Sequence, residues 1–117
     1  MSNTAFPFLK FSFNWNNKLT NKAFTTIRIH NPKKYIINQE YNIEISGRAT
    51  GTAILKAITT VKGSNLNEFI CYLDTGYSKA ETLIILKRMY KGIDVENTLF
   101  DFCLLVYTDQ AKEKKSN

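Results

Sequence analysis

Residues 52–73 read TAILKAITTVKGSNLNEFICYL, and their hydrophobic period changes halfway. As far as Lys62 the segment is rich in β-branched side chains, which fit a pleated surface, so Thr52–Lys62 is expected to be one long, bent strand. Gly63 punctuates it. Beyond Gly63, Leu66, Phe69, Ile70 and Leu73 recur at i, i+3, i+4 and i+7, which makes one stripe of an amphipathic helix. Asn65 and Glu68, three apart, are suited to cap its start. A strand therefore feeds a helix here, and the fold is of mixed class.

Working upstream, Tyr41–Ser46 alternates with period two and puts Tyr41, Ile43 and Ile45 on one face. Gly47 to Gly51 then turns the chain into the long strand. Phe24–His30 is a Thr- and Ile-rich strand stopped by Asn31-Pro32, because proline cannot donate to a ladder and disfavours helix before it. Phe8–Phe13 is the first strand. Asn14 to Asn21 is polar around Trp15 and Leu19 and reads as a helical turn or loop. Downstream, Asp74-Thr75-Gly76 breaks the first helix. Ser78 and Glu81 form a capping box that opens a second, with Lys87, Arg88 and Lys91 suiting its negative end before Gly92. Leu99–Thr108 is nearly all apolar, as a strand buried on both faces is.

Four strands, two helices and a returning strand give an α+β fold, a small β-barrel of about five to six strands with two helices inserted before the last strand. Residues 1–108 are expected to form one domain and 109–117 a polar, basic tail. Eight Phe, six Tyr and one Trp suffice for a core without staples. Cys71 and Cys103 lie in apolar runs and read as reduced core residues. Two Cys and the single His30 cannot build a four-ligand zinc site, so no metal and no other cofactor is expected. The N-terminal residues lack the pattern of a signal peptide, and no stretch approaches the roughly 20 apolar residues of a membrane span. The expectation is a cytoplasmic protein with no membrane partner. A net charge of +6 favours polyanionic partners, since neutralised phosphates release counterions.

No phosphate-binding glycine loop, dinucleotide fingerprint or nucleophile elbow is present. The richest segment is residues 22–28, Lys-Ala-Phe-Thr-Thr-Ile-Arg. On a strand, Lys22, Phe24, Thr26 and Arg28 share one face, and Thr25, Ile27 and Ile29 the other. Lys22, Thr26 and Arg28 put an ammonium, a hydroxyl and a guanidinium on that first face, a set suited to an anionic or carbonyl-bearing ligand. Trp15 precedes this segment, Tyr77 directly follows Asp74-Thr75-Gly76, and both are candidates to stack on a base.

Thr26-Ile27-Arg28 shortly after Lys22, following a strand such as Leu9-Lys10-Phe11-Ser12-Phe13, resembles the N-terminal motif of ASCH domains. The approach to a strand at Asn38-Gln39-Glu40-Tyr41-Asn42-Ile43 resembles that family too. So does Leu66-Asn67-Glu68 through Asp74-Thr75-Gly76-Tyr77-Ser78, followed by a helix that stops at Tyr90-Lys91-Gly92. The resemblance spans Leu9 to Tyr107 and implies a PUA-like barrel associated with RNA and nucleoside recognition. One branch of the family is similar to small amidohydrolases that deacetylate acetylated cytidine with a Lys, a Thr and a Glu. Carried over, the resemblance implies Lys22 and Asp74 as two catalytic groups. It also implies Thr26, two residues before Arg28, as the hydroxyl group, whereas counting from Lys22 selects Thr25, which faces the other way.

The function expected first is recognition of RNA, or of a modified nucleoside derived from it, in a cleft between barrel and helices, with Arg28, Trp15 and Tyr77 binding. The alternative is hydrolysis of an acylated pyrimidine nucleoside by Lys22, Thr26 and Asp74. A non-catalytic protein-interaction module is the third reading, because a fold alone does not fix function.

Overall fold

The computed structural model describes residues 6–110, which form five strands and two α-helices. The strands are β1 (Phe8–Phe11), β2 (Ala23–Ile29), β3 (Glu40–Ile45), β4 (Arg48–Lys62) and β5 (Leu99–Gln110). The helices, α1 (Glu68–Thr75) and α2 (Lys79–Met89), lie between β4 and β5. The expected order of elements is the observed one. Asp109 and Gln110 extend the last strand into what the sequence suggested as a tail, and the remainder of that tail lies outside the described residues.

The strands make one mixed sheet in the order β1-β3-β4-β5-β2, in which β1 and β3 run parallel and every other pair antiparallel. Register shifts at Ile43/Glu44, Thr52/Ala53 and Leu55/Ala57 let the long strands bend, as bulges do. The sheet curls into a half-barrel whose edge strands, β1 and β2, face each other without a backbone ladder. Side chains span that seam. The Phe11 and Phe24 rings meet edge to face at 6.0 Å, and Arg28 Nη2 donates to the Lys10 carbonyl at 3.0 Å.

Two cores follow from the two faces of the sheet. Leu9, Phe24, Tyr41, Ile43, Leu55, Cys103 and Leu105 fill the barrel, while Ile27, Leu66, Cys71, Leu86, Val95 and Phe100 pack beneath the helices. The near-continuous apolar run of β5 is explained by this division. Phe100 serves the helix side, and Cys103, Leu105 and Tyr107 the barrel. Both cysteines are free and buried, and burial together with the charge of Asp101 pushes the Cys103 thiol up to about 12. Gly63 sits where the period changes because a Cβ there would meet the Val95 carbonyl oxygen at 2.0 Å.

The first helix departs from its expected orientation. Its cap is Asn67, whose side chain accepts from the Ile70 N–H, and not Asn65. Phe69 and Leu73 of the expected inward stripe are 73% and 52% exposed, while Cys71, Asp74 and Thr75 are buried. Polar residues occupy the buried face because each finds a partner there. Thr75 Oγ1 donates to the Cys71 carbonyl and meets Thr82 Oγ1 at 2.9 Å, and Asp74 accepts from Lys18 and Thr25. The capping box of α2, between Ser78 and Glu81, is as expected.

Candidate functional site

The open seam of the half-barrel holds a cavity of about 390 Å³, walled by β1, β2, the 15–20 segment and both helices. Such a volume lies in the range of small-ligand pockets. The reason for the opening is in the strand pattern. Bonds from His30 N to Leu99 O and from Tyr107 N to Lys22 O fix the even-numbered residues of β2 as those bonded to β5. The backbone groups of Thr25 and Ile27 are therefore turned to the seam. On the other edge, Phe11 O accepts from Ser46 N, so β1 bonds β3 through Phe11 and turns Lys10 outward. The Lys10 carbonyl is the acceptor that Arg28 takes.

Between β1 and β2 the chain makes an irregular turn through Trp15–Thr20, with Asn16 and Asn17 at φ of 57° and 52°. Asparagine tolerates this left-handed region better than other side-chain-bearing residues. The turn is held from several sides. Leu19 N donates to Asn14 Oδ1, Asn16 Nδ2 to the Leu73 carbonyl, and Tyr107 Oη to the Leu19 carbonyl. Gly76, at φ of 82°, caps α1 where a Cβ would crowd Asn16. The outcome is that Lys18 is driven inward.

Lys18 Nζ lies 2.9 Å from Asp74 Oδ1, and both side chains are buried. Thr25 Oγ1 donates to the same oxygen at 2.8 Å. Burial pushes the Lys18 ammonium below the ordinary lysine range, opposed by the charge and hydrogen bond of Asp74. Both Lys18 and Asp74 line the cavity.

Arg28 also lines the cavity. Its Nε donates to Thr26 Oγ1 at 3.0 Å, and the guanidinium lies over the Phe11 ring at 4.5 Å. Three cations (Lys10, Lys18, Arg28) and two carboxylates (Glu44, Asp74) line the cavity. With Lys18 and Asp74 neutralising each other, Lys10 and Arg28 outweigh Glu44.

Of the residues singled out from sequence, Thr26, Asp74, Arg28 and Trp15 line the cavity, and Tyr77 lies outside the lining with its ring 6.0 Å from that of Trp15. Lys22 is exposed just before β2 and takes no part in the lining. The lysine that meets Asp74 is Lys18, which the sequence reading passed over inside a polar loop. The side chains of Thr25 and Thr26 face opposite ways, as expected. The carboxylate partners Thr25, whereas the cavity wall holds Thr26.

A second polar cluster lies at the far end of β2, and the sequence reading missed it. Buried Asp101 accepts from Thr60 Oγ1 at 2.7 Å and from Asn31 N at 3.1 Å, and pairs with His30 Nδ1 at 2.9 Å. Burial raises its pKa, and these bonds more than offset it, leaving the carboxyl below the usual range. A lone aspartate inside an apolar strand was the available signal, since a buried charge requires partners. Among the described residues, no three His, Cys, Asp or Glu side chains gather as metal ligands, and no helix is long and apolar enough to cross a membrane.

No family model and no curated protein matches the chain. Among solved structures, it is similar to protein EF3133 from Enterococcus faecalis V583, of the family model DUF984. The TM-score is 0.66 at 8% identity, over 96% of this chain and 86% of that one. At that identity the likeness is one of fold: an α+β half-barrel with two main helices, in keeping with a PUA-like barrel.

Proposed function

We propose that the protein recognises a nucleoside, free or as part of RNA, in the seam cavity, as its resemblance to ASCH domains implies. The observation that carries the reading is the composition of the cavity wall. It gathers an Arg28 guanidinium held over Phe11, a Lys18–Asp74 pair, and the rings of Phe13 and Trp15. A guanidinium fork suits a carbonyl or phosphate, and aromatic walls suit a planar ring. Backbone groups turned to the seam from Lys10, Thr25 and Ile27 supply further donors and acceptors for the edge of a base. Intrinsic fluorescence tests this, because Trp15 is the only tryptophan and it lines the cavity. Saturable quenching by at least one of the common or acetylated ribonucleosides is the expected result, and none with any of them rejects the reading.

Amide hydrolysis is the second reading, favoured by one observation: Lys18 and Thr25 converge on one oxygen of Asp74. In this arrangement the Thr25 hydroxyl attacks the acyl carbon and gives its proton to the amine of Lys18. Lys18 passes that proton to the cytosine amine as the C–N bond breaks, and water then cleaves the acyl-threonine ester to release acetate and restore the hydroxyl. Asp74 orients both. Release of acetate from acetylated cytidine is the assay.

A further inference from the structure

We propose that the cavity is one of two adjoining base subsites, and that the natural ligand is single-stranded RNA engaging at least two consecutive nucleotides. The second subsite is the shelf made by Phe13, Trp15 and Tyr77. This rests on the nucleoside reading of the cavity and adds a substrate class to it.

The three rings form a row that begins inside the cavity and ends outside it. Phe13 and Trp15 line the cavity and meet edge to face at 4.7 Å. Trp15 meets Tyr77 edge to face at 6.0 Å, and Tyr77 stands beyond the lining. Phe13 and Tyr77 are 56% and 43% exposed, so each end of the row keeps a large apolar surface in water. A contiguous exposed aromatic surface joined to a pocket marks a place where something binds.

The surroundings fit a polyanion. Residues 12–18 and 75–80, which carry the row, contain no acidic side chain and do contain Lys79, while Lys18 is neutralised by Asp74. Lys10 and Arg28 line the cavity together with Phe13, and the whole chain carries +6. A phosphodiester leaving the cavity thus passes Lys10 and Arg28 and meets no carboxylate carried by residues 12–18 or 75–80. The row is also held in place before binding. Asn14 and Asn16 tie its central segment to Leu19 and Leu73, so little order has to be gained when a base stacks.

The test compares the four common ribonucleosides, their homodinucleotides, and dinucleotides of equal charge whose second sugar lacks a base, all by Trp15 quenching. The dinucleotide is expected to bind about tenfold tighter than its abasic counterpart, within the span of one base stacked on an aromatic side chain. Tyr77→Ala should bring that ratio to about one, and Tyr77→Phe should restore it. Equal affinity for the dinucleotide and its abasic counterpart, with nucleosides still binding, overturns the shelf and leaves the cavity reading standing. If neither nucleosides nor dinucleotides bind, the cavity reading falls and the shelf with it. If sedimentation shows self-association that Tyr77→Ala abolishes, with no dinucleotide advantage, the row is a protein contact and the proposal is wrong.

Discussion

Lys18 and Asp74, 56 residues apart in sequence, form a buried ion pair at 2.9 Å that ties the 15–20 turn to the C-terminal end of α1. Removing one charge of a buried pair leaves the other uncompensated, at a cost of about 3–5 kcal/mol. Asp74→Asn should therefore destabilise the fold by about that amount in urea unfolding at neutral pH. The pH dependence follows from the sign of the Lys18 shift. Its folded pKa lies below 10.5, so the unfolded chain binds more protons in the window beneath that value, and stability gains as pH rises through it. Asp74 supplies the two effects that hold the pKa up, and without them it falls further. The deficit of Asp74→Asn should shrink as pH rises from neutral toward the ordinary lysine value of 10.5. A deficit that does not change with pH would count against the pair.

Asp101 makes the opposite prediction. Its folded pKa is depressed, so its contribution is complete above the ordinary value of 3.8 and is lost as pH falls through the lower folded value. Asp101→Asn should cost about 1–3 kcal/mol at neutral pH, the range for disturbing bonds to a buried acceptor. The gap to wild type should narrow in acid. Equal gaps at both pH values would mean that the carboxylate charge contributes nothing.

Arg28 uses Nε on Thr26, Nη2 on the Lys10 carbonyl and its planar face on Phe11. An ammonium cannot make all three contacts at once. Arg28→Lys should loosen the β1–β2 seam, lowering the melting temperature by roughly 4–8 °C for a loss of about 1 kcal/mol. It should also weaken nucleoside binding about tenfold, the effect of losing roughly 1.4 kcal/mol. Unchanged binding would remove Arg28 from the site.

The architecture was legible because its signals are local and strong. The change of period at Gly63, the Ser78–Glu81 box and the apolar run of β5 each determine one element by its own chemistry. The face of α1 was not legible. Apolar periodicity selects Phe69 and Leu73, but the buried side is decided by Lys18, Thr25 and Thr82, partners that only the tertiary fold brings near. The same cause hid Lys18. Its burial depends on a left-handed Asn16-Asn17 turn, and in sequence it is one more lysine in a polar stretch. The alternation of β2 correctly separated Thr25 from Thr26, yet could not say that the carboxylate would stand on the side of Thr25.

For hydrolysis, the placement of the lysines makes a sharp contrast. With acetylated cytidine as substrate, Lys18→Met and Thr25→Val should each lower turnover at least about a hundredfold, the low end for losing a positioned proton-transfer group. Lys22→Met, on an exposed residue outside the cavity, should change it less than about twofold, within the usual spread of a surface substitution. Activity that survives Lys18→Met but not Lys22→Met would return the catalytic role to Lys22.

The most direct test of the cavity as ligand site is a map of backbone amide shifts during titration with the nucleoside that quenches Trp15 best. The account predicts saturable shifts concentrated at Lys10, Ser12, Thr26, Ile27, Arg28, Asp74 and Thr75, which line the seam. Residues around Ile36 and Ile37, outside the lining, should stay still. Saturable shifts centred away from the seam, or none at any concentration short of non-specific binding, would contradict it.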